Sequence, residues 1–331
     1  MPLAIRRSAS PLPHRAPTVP LTVDRDTIAQ AAARIAGSVR RTPLLRLPGA
    51  ALGVDCAEIW LKLEHLQAGG SFKARGMFNR MLAQALPPAG VVIASGGNAG
   101  IAVATAARVL GVPCEVFVPE LASPAKRQAL VALQARLVVG GAAYADALAA
   151  CLQRQQVSGA LLMHAYDQPE VVAGAGTLAR EIEDEGGLPD RVLVSVGGGG
   201  LIGGMAAWFA GRCRVEALEP YGSPTLHAAR AAGAPVDVTV SGLAADALGA
   251  QRIGAVAWPI TQQFVAASHR VADADISAAQ QHLWRSLRLA VEPAAALGLA
   301  ALRAHVVQPA RHERVALVLC GGNFDPSALQ A

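Results

Sequence analysis

The chain has 331 residues, a formal net charge of +5 at pH 7, and a composition that is 53% hydrophobic, 16% charged and 4% aromatic. That length and apolar content allow two compact lobes and exclude a largely disordered chain. The basic residues are scattered and the five cysteines form no CxxC pair, so neither a nucleic-acid surface, a disulfide framework nor a zinc knuckle is expected, and a reducing cytoplasm fits.

The predicted elements begin after a leader. Residues 1–22 carry Arg6, Arg7 and Arg15 among prolines and serines, and we expect disorder there rather than a transit peptide. Residues 22–38 have the apolar spacing of an amphipathic helix. Short apolar runs then alternate with glycine- or proline-marked turns and helical patterns, which predicts parallel strands joined by helices. The predicted strands are residues 58–63, 90–94, 115–118, 136–139, 160–164, 191–196, 214–218 and 315–320.

Two uncharged stretches have to be considered as membrane spans. They cover residues 81–107 and 192–211, and prolines and glycines interrupt both. We therefore expect no membrane partner.

Three turns place glycines between a predicted strand and a predicted helix, at residues 95–100, 197–201 and 320–323. Free backbone N–H groups and the helix dipole favour anions at such positions, although each turn alone is equally well explained as a tight turn. From Gly198 the second turn also matches the dinucleotide fingerprint, with Glu219 about twenty residues later. Together the turns indicate a ligand with several polar groups, and dinucleotide binding stays open.

Lysine is rare, because only Lys62, Lys73 and Lys126 occur among the 29 basic residues. Lys62 lies inside a predicted strand, where a structural ion pair is expected, and Lys126 lies on the solvated face of a predicted helix. Lys73 follows a glycine turn at a helix start, where we place Ser71 as the N-cap. That turn can present the amine to a crevice, although a surface lysine is the alternative interpretation.

The segments WLKLEHLQ (residues 60–67) and GSFKARG (residues 70–76) resemble the sequence around the cofactor-binding lysine in the threonine/serine dehydratase family. Members of that family are pyridoxal-phosphate (PLP) enzymes of the second structural type. The resemblance runs from residue 24 to the C-terminal residues. Besides the glycine turns it includes RTPL at 41–44, VPE at 118–120, SPAK at 123–126, EP at 219–220, VEP at 291–293 and CGGN at 320–323.

The resemblance implies a role for each matching position. Lys73 would hold PLP covalently and, once displaced by the substrate amine, take the α-proton as general base. Phe72 would pack on the pyridine ring, Asn98 would donate to its phenolic oxygen, and Cys320 would face its nitrogen. The cofactor phosphate would lie on the amides of Gly197, Gly198, Gly199, Gly200 and Leu201. The substrate carboxylate would lie at Ser95, Gly96, Gly97 and Ala99.

Three positions refine the implied chemistry. A neutral Cys320 thiol does not keep the pyridine nitrogen protonated as a carboxylate would, so loss of a β-leaving group is favoured over transamination. Gly96 stands where racemases of the family carry a second base, so we expect little racemisation. Glu219 is followed by YGSPT without the further aspartate of cation-binding members, so no structural metal is expected.

The resemblance also implies an architecture and a reaction. We expect an α/β fold with two doubly wound, mostly parallel sheet lobes and PLP in the cleft between them. The larger lobe would comprise residues 23–85 and 167–331, and the smaller lobe residues 86–166.

The predicted reaction is α,β-elimination of water from L-threonine, L-serine or a relative such as 3-hydroxyaspartate or phenylserine, giving a 2-oxo acid and ammonia. We expect a cytoplasmic homodimer. The alternatives are an amino-acid racemase or β-replacement synthase of the same fold, a nicotinamide-dependent oxidoreductase, and a non-catalytic PLP-binding protein.

Overall fold

The computed structural model describes residues 21–121 and 124–329, so the expected leader lies outside the described residues except at its last two positions. The predicted α/β class is confirmed, because helices cover two separate, mostly parallel sheets. Within the described ranges, no helix is both long enough and apolar enough to cross a membrane. The helices are α1 Arg25–Ile35, α2 Lys73–Leu82, α3 Asn98–Leu110, α4 Pro124–Ala132, α5 Tyr144–Ser158, α6 Pro169–Gly186, α7 Gly200–Phe209, α8 Thr225–Ala232, α9 Ala257–Phe264, α10 Asp273–Leu287 and α11 Pro293–Arg303.

The larger sheet has six strands in the order β1-β2-β10-β7-β8-β9, and the smaller has four in the order β5-β4-β3-β6. β1 runs antiparallel to β2, and the other pairs are parallel. Parallel strands end at one edge of a sheet, so the turns after them lie side by side. The strands are β1 Leu44–Pro48, β2 Glu58–Lys62, β3 Val91–Ala94, β4 Cys114–Val118, β5 Arg136–Val139, β6 Leu161–Leu162, β7 Arg191–Ser195, β8 Arg214–Pro220, β9 Val265–Val271 and β10 Arg314–Val318.

Each strand predicted from the sequence overlaps an observed strand, but β1 and β9 were not predicted. Both are edge strands of the larger sheet. The middle of β9 consists of the partly exposed Ser268 and His269 and the exposed Arg270, so it lacks the continuous apolar run of a buried strand. An edge strand pairs through its backbone with one neighbour only, and its side chains need not form a continuous apolar run. Its sequence therefore gives little sign of a strand.

Helices α2, α6 and α7 pack with their backbones in contact. A Cβ at Gly76 of α2 would lie 2.7 Å from the carbonyl oxygen of Val171 in α6, and one at Gly174 would lie 2.5 Å from the carbonyl oxygen of Arg75. On the other side, a Cβ at Gly204 of α7 would lie 2.5 Å from the amide nitrogen of Gly176. Side chains larger than hydrogen are therefore excluded at these crossings, and α6 fixes α2 and α7 relative to each other.

The N-cap prediction for α2 was wrong. Phe72, not Ser71, occupies the N-cap position, and no side chain caps the helix. Ser71 is fully buried and extended, with φ −159°, and pairs with Gly321 in an antiparallel bridge. This long-range pairing takes the place of the local cap. In contrast, the helix predicted within residues 22–38 is confirmed as α1, where Asp24 accepts from the amide of Thr27.

Candidate active site

The turn after β10 is bonded to the segment that precedes Lys73. The amide of Phe72 donates to the carbonyl oxygen of Cys320 at 3.0 Å, and the amide of Gly322 donates to that of Gly70 at 2.9 Å. The bridge between Ser71 and Gly321 lies between these two bonds. Lys73 and Cys320 are thereby brought to one site although they are far apart in the chain.

A cavity of about 440 Å³ lies over this junction, and we call it the lysine chamber. All the residues predicted to bind the cofactor line it: Phe72, Lys73, Asn98, Gly197, Gly198, Gly199, Gly200, Leu201 and Cys320. Of the predicted carboxylate loop, Gly97 lines an adjoining cavity, whereas Ser95, Gly96 and Ala99 line neither. The assignment of those three residues to substrate stays a prediction.

The amine of Lys73 has a neutral hydrogen-bond partner. Its Nζ donates to the carbonyl oxygen of Ala165 at 2.7 Å and lies 5.0 Å from the ring centre of Phe72. Burial lowers its pKa from 10.5 to about 8, and the nearby Glu292 carboxylate opposes this shift only partly. A much larger fraction of this amine is therefore neutral near pH 7 than of an ordinary lysine, and an amine acts as nucleophile or base only in its neutral form.

Glu292 lines the same chamber, and sequence reasoning did not assign it a role. The Asn98 amide donates through Nδ2 to both Glu292 carboxylate oxygens, at 3.0 and 2.9 Å. Asn98 Oδ1 in turn accepts from Asn323 Nδ2 at 2.8 Å. Together these bonds fix which end of the Asn98 amide faces which neighbour. Burial raises the pKa of Glu292 to about 7, against the effect of the Asn98 bond. A sequence signal for Glu292 did exist, because the VEP run at residues 291–293 is part of the family resemblance.

The tetraglycine turn ends at the N-terminus of α7. Gly199 adopts φ +90°, a left-handed conformation that glycine accepts without strain. The first amides of a helix have no partner within the helix and favour an anion. Thr225 Oγ1 donates to the carbonyl oxygen of Gly197 at 2.5 Å, and the amide of Gly254 donates to that of Gly198 at 3.0 Å. The turn is therefore held through the carbonyl groups of Gly197 and Gly198.

Tyr166 supports the same turn and was also missed. Any Cβ at Gly198 would overlap its ring, and one at Gly200 would lie 3.2 Å from its Cβ. The Tyr166 hydroxyl donates to the carbonyl oxygen of Arg252 at 3.3 Å. The Tyr166 side chain thus leaves no room for a side chain at Gly198 and little at Gly200, whether or not a ligand binds to the turn. Tyr166 belongs to the distant loop after β6, so no local pattern could have linked it to the turn.

The residues of the chamber fit PLP. The glycine-lined helix end suits a phosphate dianion, and a half-buried, weakly basic amine suits the aldehyde. Burial raises the pKa of Cys320 well above its usual value, and the charge of Glu292 adds to this, so the thiol is neutral. Asn98 supplies an oriented amide donor. The donor set therefore matches a phosphate, an aldehyde and a ring with polar edges.

Glu219 does not serve the dinucleotide fingerprint. Its side chain is fully buried, and its carboxylate accepts from the amides of Leu226 and His227 at 2.7 and 2.8 Å. These are first-turn amides of α8, so the carboxylate caps that helix. A carboxylate without exposed surface is out of reach of a ribose, and the glycine spacing alone does not support a dinucleotide.

The structural ion pair predicted for Lys62 is confirmed. Its Nζ lies 2.8 Å from Glu181 and 3.2 Å from Glu185, and its side chain is fully buried. Arg75 joins the same network, 2.8 Å from Glu64. The solvated face predicted for Lys126 lies outside the described side chains.

Comparisons with known proteins give one consistent result. The family model described as pyridoxal-phosphate dependent enzyme matches residues 35–321. The L-threonine ammonia-lyase of Geobacter sulfurreducens is 37% identical over 308 residues, which cover 90% of this chain and 75% of the relative. The phenylserine dehydratase of Ralstonia pickettii is 34% identical over 313 residues, covering 91% and 94% respectively. Maize serine racemase superposes with a TM-score of 0.87 at 30% identity, over 93% of this chain and 96% of that one.

Proposed function

The chain belongs to the family of pyridoxal-phosphate dependent enzymes, and on that premise we propose that it is an ammonia-lyase acting on a small β-hydroxy amino acid. The substrate would be L-threonine, L-serine or a relative such as phenylserine or 3-hydroxyaspartate, and the products a 2-oxo acid and ammonia. The similarity to an L-threonine ammonia-lyase and a phenylserine dehydratase over nine-tenths of the chain supports this reaction class. The observation that carries the proposal is the half-buried, weakly basic amine of Lys73 beside a glycine-lined helix end.

Each residue of the chamber has a proposed task. PLP, when bound, supplies an electron sink for negative charge at the substrate α-carbon. Lys73 would hold the cofactor through Nζ and then move the α-proton at the same nitrogen. Asn98, fixed by Glu292 and Asn323, would donate through Nδ2. The amides of the tetraglycine turn would bind the phosphate, and residues 95–99 the substrate carboxylate.

Racemisation is the second candidate, because the fold is also close to that of maize serine racemase. A racemase must deliver a proton to the face of the α-carbon opposite Lys73, and Gly96 offers no side chain for that task. The neutral Cys320 thiol further disfavours a long-lived carbanion. Both features support loss of the β-hydroxyl before reprotonation.

Product analysis distinguishes these reactions. Purified protein loaded with PLP is incubated with L-threonine and L-serine, and 2-oxo acid, ammonia and D-amino acid are measured separately. We expect equal amounts of 2-oxo acid and ammonia, far above any D-isomer. D-isomer formed as fast as 2-oxo acid would support racemisation, and loaded protein without either product would support a non-catalytic role.

The point of attachment can be tested independently of turnover. Borohydride reduction of the loaded protein followed by peptide mapping should place the cofactor on Lys73. A reduced cofactor on Lys62 or Lys126, or no adduct, would contradict the assignment.

We further propose a cytoplasmic homodimer. The five free cysteines and the family resemblance support this proposal. Light scattering of the loaded protein gives its mass in solution, and a monomer at micromolar concentration would contradict it.

A further inference from the structure

Glu292 stands where the lysine chamber meets a second cavity, which we call the side cavity. Both cavities have Asn98, Ala247 and Glu292 in their walls, so these three residues mark the boundary between them. The side cavity also borders Gly97 of the loop proposed to bind the substrate carboxylate. The α-carbon of a bound substrate has to be within reach of Lys73, and its carboxylate would lie at that loop. The β-carbon and its hydroxyl then lie next to the boundary residues.

Loss of the β-hydroxyl requires an acid. Hydroxide is a strong base and leaves poorly at neutral pH, whereas it departs readily as water once a proton reaches its oxygen. Asn98 offers an amide and Ala247 a methyl group, and neither releases a proton at neutral pH. Of the three boundary residues, only Glu292 carries an acidic group.

The other polar side chains of the two cavities are less suited to this task. The Ser195 hydroxyl donates to the carbonyl oxygen of Ala294 at 2.7 Å. Burial raises the pKa of Cys320 well above its usual value, and the charge of Glu292 adds to this, so the thiol is too weak an acid. Asp246 and Asp325 are exposed, and they line the side cavity but not the lysine chamber.

The surroundings of Glu292 allow its carboxyl to hold a proton near neutral pH. The residue is only 5% exposed, and burial raises its pKa to about 7. The Asn98 hydrogen bond, the charge of Lys73 and the backbone amide of Asn323 lower the pKa, and the charge of Asp246 raises it. A protonated carboxyl still keeps an acceptor oxygen for Asn98 Nδ2. Such a group can give up its proton and regain it in each cycle.

We propose that Glu292 is the general acid that protonates the departing β-hydroxyl, an inference that rests on the proposed function. Lys73 Nζ takes the α-proton, and the electron pair of that C–H bond forms the second bond between the α- and β-carbons. The β-carbon–oxygen bond breaks with its electron pair on oxygen, which takes the Glu292 proton and leaves as water. The Lys73 ammonium then returns its proton to the Glu292 carboxylate, directly or through water, so both groups regain their starting forms.

The nature of the leaving group separates an acid from a positioning residue. β-Chloro-L-alanine loses chloride, a weak base that departs without a proton, whereas L-serine has to lose its hydroxyl. Glu292→Gln keeps the size of the side chain and an acceptor for Asn98 but has no acidic proton. On the loaded enzyme, the ratio of kcat/KM for L-serine to that for β-chloro-L-alanine should fall by at least about a hundredfold in this variant. An unchanged ratio would overturn the inference.

Asn323→Ala is the matched control. Asn323 is exposed, and its Nδ2 donates to Asn98 Oδ1 and to the carbonyl oxygen of Gly69, both at 2.8 Å. Its loss disturbs the orientation of Asn98 but leaves the Glu292 carboxyl in place, so turnover of both substrates should fall together. A ratio that fell as far as in Glu292→Gln would show that the position of Asn98 controls loss of the hydroxyl, and the inference would fail.

Infrared difference spectra of the apoprotein test the proton without turnover. Between about pH 5 and about pH 9 the wild type should show a protonated-carboxyl band that disappears as pH rises and is missing in Glu292→Gln. Absence of that band would show that Glu292 has no proton to give, and the inference would fail alone if 2-oxo acid still forms. Loaded wild-type protein that gave 2-oxo acid from neither substrate would contradict the proposed function and the inference with it.

Discussion

Lys62 is fully buried and Lys73 is half-buried, yet only Lys62 has carboxylate partners that stabilise its ammonium charge at hydrogen-bond distance. Lys62 has Glu181 at 2.8 Å, Glu185 at 3.2 Å and the carbonyl oxygen of Thr42 at 2.6 Å. Lys73 has only the neutral carbonyl of Ala165 at 2.7 Å among its described hydrogen-bond partners. Burial disfavours a charge, and nearby carboxylates restore it. The acid partners, rather than burial itself, separate a structural lysine from a reactive one.

Replacing Lys73 gives the largest expected effect. Lys73→Ala removes the proposed attachment point and base, so formation of 2-oxo acid should fall by at least about a thousandfold. The free energy of unfolding at neutral pH should not fall, since Lys73 makes no ion pair in the described part of the chain and burial disfavours its charged form. Turnover and urea unfolding measured on the same preparation check both halves. Retained turnover with normal cofactor loading would remove Lys73 from the mechanism.

Replacing Lys62 should produce the opposite pattern. Lys62→Met leaves Glu181 and Glu185 without this partner in a buried network, and the free energy of unfolding should fall by about 3 to 5 kcal/mol. Urea unfolding measures the loss. Turnover per folded molecule should be unchanged, because Lys62 does not line the lysine chamber.

A surface pair provides the control for Lys62. Arg311 lies 2.9 Å from Asp55, and their side chains are 87% and 74% exposed. Arg311→Met should therefore change the unfolding free energy by less than about 1 kcal/mol. Equal losses in Lys62→Met and Arg311→Met would show that burial does not strengthen the network.

The pH dependence of the reaction between Lys73 and PLP tests the contrast between the two lysines further. Only the neutral amine attacks an aldehyde, and the Lys73 pKa is lowered to about 8. The rate at which apoprotein captures PLP should rise about tenfold per pH unit below pH 8 and then level off. Stopped-flow absorbance follows the capture. A rate that kept rising toward pH 10 would indicate an ordinary lysine.

The same shift has a thermodynamic consequence with a definite sign. The folded-state pKa of Lys73 is lowered from 10.5 to about 8, so between these values the unfolded chain binds more protons. Its contribution to apoprotein stability should therefore rise as pH increases through this window. Lys73→Ala should lack that rise. Glu292, Cys320 and His164 lie close enough to interact electrostatically with this amine, so the difference between the two proteins is the quantity to measure.

The smallest expected effect concerns the face opposite Lys73. Gly96→Ser adds a hydroxyl where family racemases carry their second base, and the ratio of D-isomer to 2-oxo acid should rise several-fold, by roughly 1 kcal/mol. Chiral chromatography after incubation with L-serine measures it. An unchanged ratio at normal cofactor loading would show that this face is controlled by another residue.

The sequence alone predicted the features that depend on residues close together in the chain. Glycine turns after apolar runs predicted the glycine-lined helix end of the lysine chamber, and the family resemblance of the segment around Lys73 marked this lysine, whose role as the cofactor lysine stays a prediction. Ser71 was misread because its pairing with Gly321 is non-local. Glu292 and Tyr166 reach the site from distant segments, and their roles depend on which loops meet. The pattern of apolar residues does not show which distant segments pair, so the positions of these three residues could be learned only from the structure.

The backbone contacts of α6 also determine where the molecule can move. No side-chain layer separates α6 from α2 or α7 at the glycine crossings, so these helices cannot repack and should move as one rigid body. By contrast, α2 meets the smaller sheet and α3 through side chains such as Met77 and Phe78, which can slide. We therefore expect opening motions to carry α3 and the loop before it, while the span from Lys73 to Gly200 stays constant. The protein could then admit substrate and release product while Lys73 and the tetraglycine turn keep their positions on the cofactor.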